Sequence, residues 1–238
     1  MESLDDNSIG RMQILPLYQR WKMLAIGVSL ALVGQVAEII KSLKVAGLIE
    51  RINNGDSGAA YELERLYKSP DPMTIIGGLF GILAIVFVCM WFYRAGQNVH
   101  MAGVKYLNYT PGWYVGWFFI PLVQLVMPLI TTIELWKASA SINNPDEYTS
   151  WSSNKVSPLV MLWYACFILA TCVACYFVFS NFDSMRRMAF DGDARIEYYG
   201  NTSKIPYFNV PLQTISGICL ILFSKKITDS QTNYLNAE

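Results

Sequence analysis

The chain has 238 residues, of which only 15% are charged and 53% are hydrophobic. A soluble domain carries about a quarter charged residues, so this composition argues against a soluble globular protein and favours one embedded in lipid. The 18 basic and 18 acidic residues balance, so the net charge gives no reason to expect a nucleic-acid partner.

Five apolar segments approach the length of about 20 residues that a helix needs to cross a bilayer. They cover 23–43, 73–92, 113–135, 156–179 and 207–223. The acidic stretch before them, MESLDDNSIGRM, has no apolar core followed by small residues, so we expect no cleaved signal peptide. The sequence predicts an all-α integral membrane helical bundle of five transmembrane helices, forming a single membrane domain over 1–238.

The linkers between these segments are too short for a separate soluble domain. Helical periodicity predicts one short helix outside the membrane, over 56–69. Lys and Arg divide equally between the two sides of a five-span arrangement, so they do not decide its orientation. We expect a cytoplasmic amino terminus because the loop 93–112 carries Arg94 and Lys105 and no acidic residue.

The third segment contains two prolines. A proline inside a helix removes one backbone hydrogen bond, so the third transmembrane helix is predicted to be proline-kinked. Helical spacing would place five of its residues on one stripe: Trp117, Pro121, Gln124, Pro128 and Thr131. This stripe could line a polar cavity or an ion path, or it could pack against helices that satisfy the released carbonyl groups.

Three motifs lie between residues 91 and 139: WFYRAGQN, then PGWYVGWFFIP, then a proline followed by ELWKAS. They resemble the motifs of the bacterial multi-span membrane proteins known as domain-of-unknown-function family 4328. The family often has Asn where this chain has Gln124, and a basic residue where it has Met127. The resemblance implies a multi-pass protein of the bacterial cytoplasmic membrane and supplies no biochemical activity.

We take the motif and stripe residues as candidate functional positions: Trp91, Tyr93, Arg94, Asn98, Pro111, Gly112, Trp113, Gly116, Trp117, Pro121, Gln124, Pro128, Thr131, Glu134 and Trp136. Arg94, Trp91 and Tyr93 would form a collar at the level of the lipid phosphates. A more specific role for Arg94 would be an ion pair with Glu134, a carboxylate that lies close to the predicted membrane depth.

No motif predicts a catalytic, cofactor-binding or metal site. Cys166, Cys172 and Cys175 lie in one apolar run, and the chain has a single histidine, His100, which lies elsewhere in the sequence. With no further ligands near them, these cysteines are interpreted as packing residues. The leading hypothesis is a non-enzymatic, membrane-embedded assembly or partner-binding component, either a homo-oligomer or one that binds a membrane or cytoplasmic protein. The alternative is a small channel or transporter subunit that uses the kinked third span. An intramembrane lipid-acting enzyme has the least support.

Overall fold

A computed structural model of the chain describes residues 14–69 and 72–236, which form helices and no strand. The acidic segment for which no cleaved leader was expected, residues 1–12, lies outside the described residues. The α-helices, in chain order, are α1 (Tyr18–Asn53), α2 (Ser57–Lys68), α3 (Pro72–Met101), α4 (Trp113–Gly116), α5 (Met127–Ser141), α6 (Pro158–Ser180), α7 (Phe182–Arg187), α8 (Gly192–Thr202) and α9 (Ile205–Asn236).

Four of the described helices, α1, α3, α6 and α9, are long and apolar enough to cross a membrane. The shortest, α6, has 23 residues, which at about 1.5 Å per residue exceeds the roughly 30 Å of the hydrocarbon core. In the most apolar stretch of each candidate span, only 17–28% of the residues are buried inside the protein. Apolar surface exposed to this extent needs lipid to cover it, so these helices indicate a multi-pass membrane protein.

The expectation of five spans, with a proline-kinked third span over 113–135, is not met by the described residues. This segment contains α4, two short 3₁₀ turns at Trp117–Phe119 and Val123–Leu125, and the first half of α5. The chain is extended at Ile120 and has a positive φ of 66° at Leu122. A positive φ at Leu is incompatible with a continuing right-handed helix, so the segment is broken next to Pro121 rather than bent.

The second proline of the segment starts a helix instead of kinking one. Pro128 occupies the first turn of α5, where its missing N–H costs nothing because the first amides of a helix have no intrahelical partner. The loops that flank 113–135 also contact each other. The amide of Lys105 donates to the carbonyl of Tyr148 over 3.2 Å, and Nε1 of Trp151 donates to the carbonyl of Lys105 over 2.8 Å. The segment is therefore flanked by two loops that contact each other, and it is not one continuous helix of the kind that spans a bilayer.

The last helix, α9, extends well beyond the predicted end at residue 223. Its second half contains the buried polar residues Ser224, Thr228 and Gln231, which lower the local hydropathy without ending the helix. The side chains of these three residues form hydrogen bonds inside the protein, so they can be buried although they are polar.

The chain divides into two compact units that are each assembled from separate segments. The first unit comprises Met1–Ala25, Ile85–Leu162 and Cys219–Glu238, and the second comprises Ile26–Ala84 and Trp163–Ile218. The single membrane domain over 1–238 stays a prediction. All the candidate functional residues belong to the first unit.

In the second unit, α2 packs against the last turns of α1. Val45 and Leu48 of α1 form a buried core with Ala59 and Leu63 of α2. The side chain of Asp56 caps α2 by accepting from the amides of Gly58 and Ala59. The Arg51 guanidinium, which is hydrogen-bonded to Asp56, holds the pKa of that carboxyl below its ordinary value.

Candidate functional site

The candidate site lies in the first unit, where α3, α5 and α9 meet around a buried amide. Asn98 of α3 is fully buried. Its Nδ2 atom donates to the carbonyl of Leu15 over 3.0 Å and to Oε1 of Gln231 over 2.9 Å. Its Oδ1 atom accepts from the amide of Leu15 over 3.1 Å. A single motif residue therefore ties α3 to α9 and to the segment that leads into α1.

Gln231 extends this network to α5. It is also fully buried, and its Nε2 atom donates to the carbonyl of Ala95 over 3.2 Å and to the hydroxyl of Ser139 over 2.9 Å. The neighbouring Ser230 donates its hydroxyl to the carbonyl of Ser139 over 2.6 Å. Each amide group is paired, which removes the large cost of burying polar groups in an apolar bundle.

Trp91 provides a second link between α3 and α9. Its ring is fully buried, and Nε1 donates to the hydroxyl of Thr228 over 3.0 Å. The sequence had placed Trp91 in a collar at the level of the lipid phosphates, whereas its ring is buried inside the protein. Its ring faces the interior because Thr228 offers its indole N–H a partner there.

Glu134 of α5 holds the loop that precedes α4. The side chain is 4% exposed. Oε2 accepts from the amide and the Nδ2 of Asn108, over 3.0 and 2.6 Å. Oε1 accepts from the amide of Tyr109 over 3.3 Å and from the hydroxyl of Tyr114 over 2.7 Å. Four donors converge on one carboxylate, so Glu134 fixes this loop by charge-assisted hydrogen bonds and does not form the proposed ion pair with Arg94.

Tyr114 needs a glycine opposite it. Its ring is fully buried, and a Cβ atom at Gly96 of α3 would lie 2.5 Å from Cδ2 of that ring. No side chain fits in this space without moving the ring. Gly96 therefore allows Tyr114 to reach Glu134.

A second loop packs onto the first. Nε1 of Trp136 donates to the carbonyl of Lys155 over 3.1 Å, and Asn154 donates to the carbonyl of Lys137 and to the hydroxyl of Ser141. These bonds fasten the loop 142–157 to α5. Together with the Lys105 contacts described above, they join it to the loop 102–112. We refer to the two loops, 102–112 and 142–157, as the loop platform.

The predicted stripe of the third segment is not one helix face. Trp117 and Gln124 lie in separate 3₁₀ turns, while Thr131 lies in α5. Thr131 is buried, and its hydroxyl donates to the carbonyls of Met127 and Pro128.

The remaining motif residues of this segment serve its turns. Pro111 and Gly112 form the turn that leads into α4. The rings of Trp113 and Trp117 stack at 4.2 Å. Gly116 leaves room for this stack, since a Cβ there would lie 3.0 Å from the Trp113 ring. Pro121 is exposed where the helical conformation is interrupted.

The signal for the partners in α9 was present in the sequence. Ser224, Thr228 and Gln231 recur at spacings of four and three, so they share one face of a helix. The partners of Glu134 carried no such signal, because Asn108, Tyr109 and Tyr114 lie in a loop and a short helix. Within 14–69 and 72–236, no three His, Cys, Asp or Glu residues are grouped closely enough to hold a metal ion.

Comparison with known proteins matches this region to one family. The profile of the family described as "Domain of unknown function (DUF4328)" covers residues 72–196, which include all three motifs. The resemblance inferred from the motifs is thereby confirmed. Neither the curated proteins nor the solved structures that were searched gave a match.

Proposed function

The chain belongs to the DUF4328 family, and we propose that it is a non-enzymatic membrane protein whose loop platform binds a partner protein. The proposal starts from what the motif residues do. Four motif residues use their polar side-chain atoms in hydrogen bonds that hold helices and loops together: Asn98, Trp91, Glu134 and Trp136. A site preorganised in this way costs less conformational entropy when a partner binds.

The observation that carries the proposal is the conformation of Tyr106, in the middle of the loop 102–112. Its side chain is 76% exposed, and its backbone has a φ of 60°. A bulky residue in the left-handed region costs about 1–3 kcal/mol and persists only where the surroundings impose it. The two bonds at Lys105, to Tyr148 and Trp151, impose it here. An aromatic ring held outward at such a cost is the type of residue that dominates protein interfaces.

The test separates the ring of Tyr106 from its backbone. A photo-reactive phenylalanine analogue at position 106 should give a discrete cross-linked protein in intact membranes. The same analogue at Tyr61, which is 71% exposed on α2, should not give this product. In pull-downs, Tyr106→Gly should lose the partner and keep or raise the stability of the protein, because glycine adopts a positive φ without strain. Unchanged recovery of the partner by Tyr106→Gly would refute the proposal.

The same cross-link identifies the type of partner. A second copy of this chain would give a product of about twice 26.9 kDa, and mixing two differently tagged forms would place both tags in it. A membrane or cytoplasmic protein of another kind would give a different mass and a single tag.

We further propose that the protein resides in a bacterial cytoplasmic membrane with its amino terminus in the cytoplasm. Four crossings, by α1, α3, α6 and α9, would return the end of α9 to the side on which α1 begins. The carboxyl end and the loop platform would then also face the cytoplasm.

One observation favours a channel or transporter as a second candidate. In the second unit, Gln35 of α1 donates its side-chain amide to Gln213 of α9. The side-chain oxygens of Gln35 and of the 8%-exposed Asn209 are buried without a hydrogen-bond partner among the described residues. Unsatisfied acceptors at membrane depth are typical of solute or proton pathways. This candidate therefore uses α1 and α9 rather than the third segment.

A flux measurement tests the second candidate. Proteoliposomes containing the wild-type protein should then pass protons or small cations, as followed by a trapped pH dye or by potassium release. Asn209→Leu should abolish this flux, whereas Thr171→Val on α6 should not. Absence of flux above empty liposomes would reject the candidate.

A further inference from the structure

Two arginines lie near each other in the described part of the first unit. Arg94 of α3 and Arg20 of α1 are both partly buried. Nη1 of Arg20 donates to the carbonyl of Met90 over 3.3 Å, one helical turn before Arg94. This bond places the Arg20 guanidinium against the helix that carries Arg94, next to the turn that ends at Arg94. Among the described residues, neither arginine lies within 4 Å of a carboxylate.

Arg94 also has a donor that is ready for a ligand. Its Nε atom is shielded from solvent and has no hydrogen-bond partner among the described residues. The Nε and one Nη of a guanidinium form the fork that binds two oxygens of a carboxylate or phosphate group. An anion bound at Arg94, beside Arg20, would accept a hydrogen bond from this donor and neutralise part of the positive charge.

The residues around this arginine pair are of the types that surround lipid headgroups. The ring of Tyr18 stacks on that of Trp21 at 5.7 Å, and the amino groups of Lys22 and Lys225 lie 4.7 and 5.5 Å from the Tyr18 ring centroid. Tyr93, next to Arg94, is 43% exposed. Tyr, Trp and basic residues at the ends of spanning helices are enriched where lipid phosphates lie.

We propose that Arg20 and Arg94 together bind the phosphate group of an anionic phospholipid. The Arg94 fork contacts two phosphate oxygens, and Arg20 contributes the second positive charge from α1. The lipid is the source of the phosphate because the site lies among interfacial aromatic residues, beside helices whose apolar faces are exposed to acyl chains. Phosphatidylcholine fits less well because its quaternary ammonium would approach the same cluster of cations. This proposal does not depend on the loop platform.

Native mass spectrometry of the detergent-purified protein, titrated with phosphatidylglycerol, tests the assignment. The wild-type protein should bind phosphatidylglycerol more tightly than phosphatidylcholine. Inorganic phosphate at about 10 mM, a concentration that would occupy even a weak site for the free anion, should not displace the lipid. Arg94→Gln and Arg20→Gln should each weaken phosphatidylglycerol binding about tenfold, as expected for the loss of a charge-assisted hydrogen bond. Arg186→Gln, which removes the same charge from an exposed position on α7, should leave binding unchanged.

A charge-conserving variant separates a specific site from general attraction. Arg94→Lys keeps the positive charge and loses the two-pronged geometry, so binding should still weaken. Equal binding by Arg94→Lys and the wild-type protein would overturn the proposal in favour of diffuse electrostatic attraction. Effective competition by inorganic phosphate would overturn the lipid as the source. Each variant should first elute as a single folded species, and Arg94→Lys is the variant that disturbs the fold least.

Discussion

Asn98 and Gln231 share a hydrogen bond of 2.9 Å, although 133 residues separate them in the chain. Both side chains are fully buried, and each also binds backbone groups of other segments. The bond therefore joins the end of one long helix to the end of another. An apolar pair in the same place would pack but would not fix the rotation of α9 against α3, because apolar contacts have no direction.

Removing either amide should destabilise the protein. Asn98→Ala leaves the Leu15 amide and carbonyl unpaired, and we expect a loss of about 1–3 kcal/mol in the free energy of unfolding. Gln231→Ala should cost a similar amount. The double variant should cost less than the sum, because the residues share one network. Thermal unfolding in detergent measures all three, with the neighbouring Gln97→Ala as the control that should change little. Additive losses would show that the two amides act independently.

Glu134 should control the exposure of the loop 102–112 to protease. Glu134→Ala removes the acceptor of four hydrogen bonds, so the free energy of opening should fall by about 1–3 kcal/mol, and tryptic cleavage after Lys105 should accelerate about tenfold. Asp146→Ala removes an exposed carboxylate from the other loop of the platform and serves as the control. Equal cleavage rates in the two variants would mean that Glu134 does not hold the loop.

Two glycines of the same helix should respond oppositely to alanine. Gly96→Ala places a Cβ against the Tyr114 ring, so it should lower the free energy of unfolding by about 1–3 kcal/mol. Gly78→Ala meets nothing within 4 Å and should be neutral or stabilising by up to about 1 kcal/mol. Paired melting curves decide this, and a neutral Gly96→Ala would show that Tyr114 can move away without loss.

The sequence predicts the long helices better than the contacts between them. Uncharged runs such as 73–92 identify a span because lipid tolerates few other structures. The segment 113–135 has a similar composition, but its break depends on the backbone at Leu122 and on a contact between Lys105 and Tyr148 that no local pattern encodes. The role of Gln231 was missed for a related reason. A hydropathy scale treats every amide side chain as solvent-exposed, including one that is buried and fully hydrogen-bonded.

The candidate site was found in part. The motifs identified Asn98, Trp91 and Glu134, and the structure places all three in buried contacts. Their spacing could not reveal their partners, because those partners come from segments distant in the sequence. The interpretation of the third segment as a spanning helix also suggested a functional stripe. The stripe does not form because the helix is interrupted at residues 120–122.

The most direct test of the account is the side of the membrane on which Tyr106 and Asn143 lie. The loop platform requires both on one side, whereas a spanning segment at 113–135 would place them on opposite sides. Single cysteines at the two positions, in a background without the five native cysteines, can be labelled with a membrane-impermeant maleimide in sealed vesicles of known orientation. Tyr61→Cys provides the reference for the other side. Positions 106 and 143 should be labelled from the same side and position 61 from the opposite side. Labelling of 106 and 143 from opposite sides would contradict the arrangement of the loop platform.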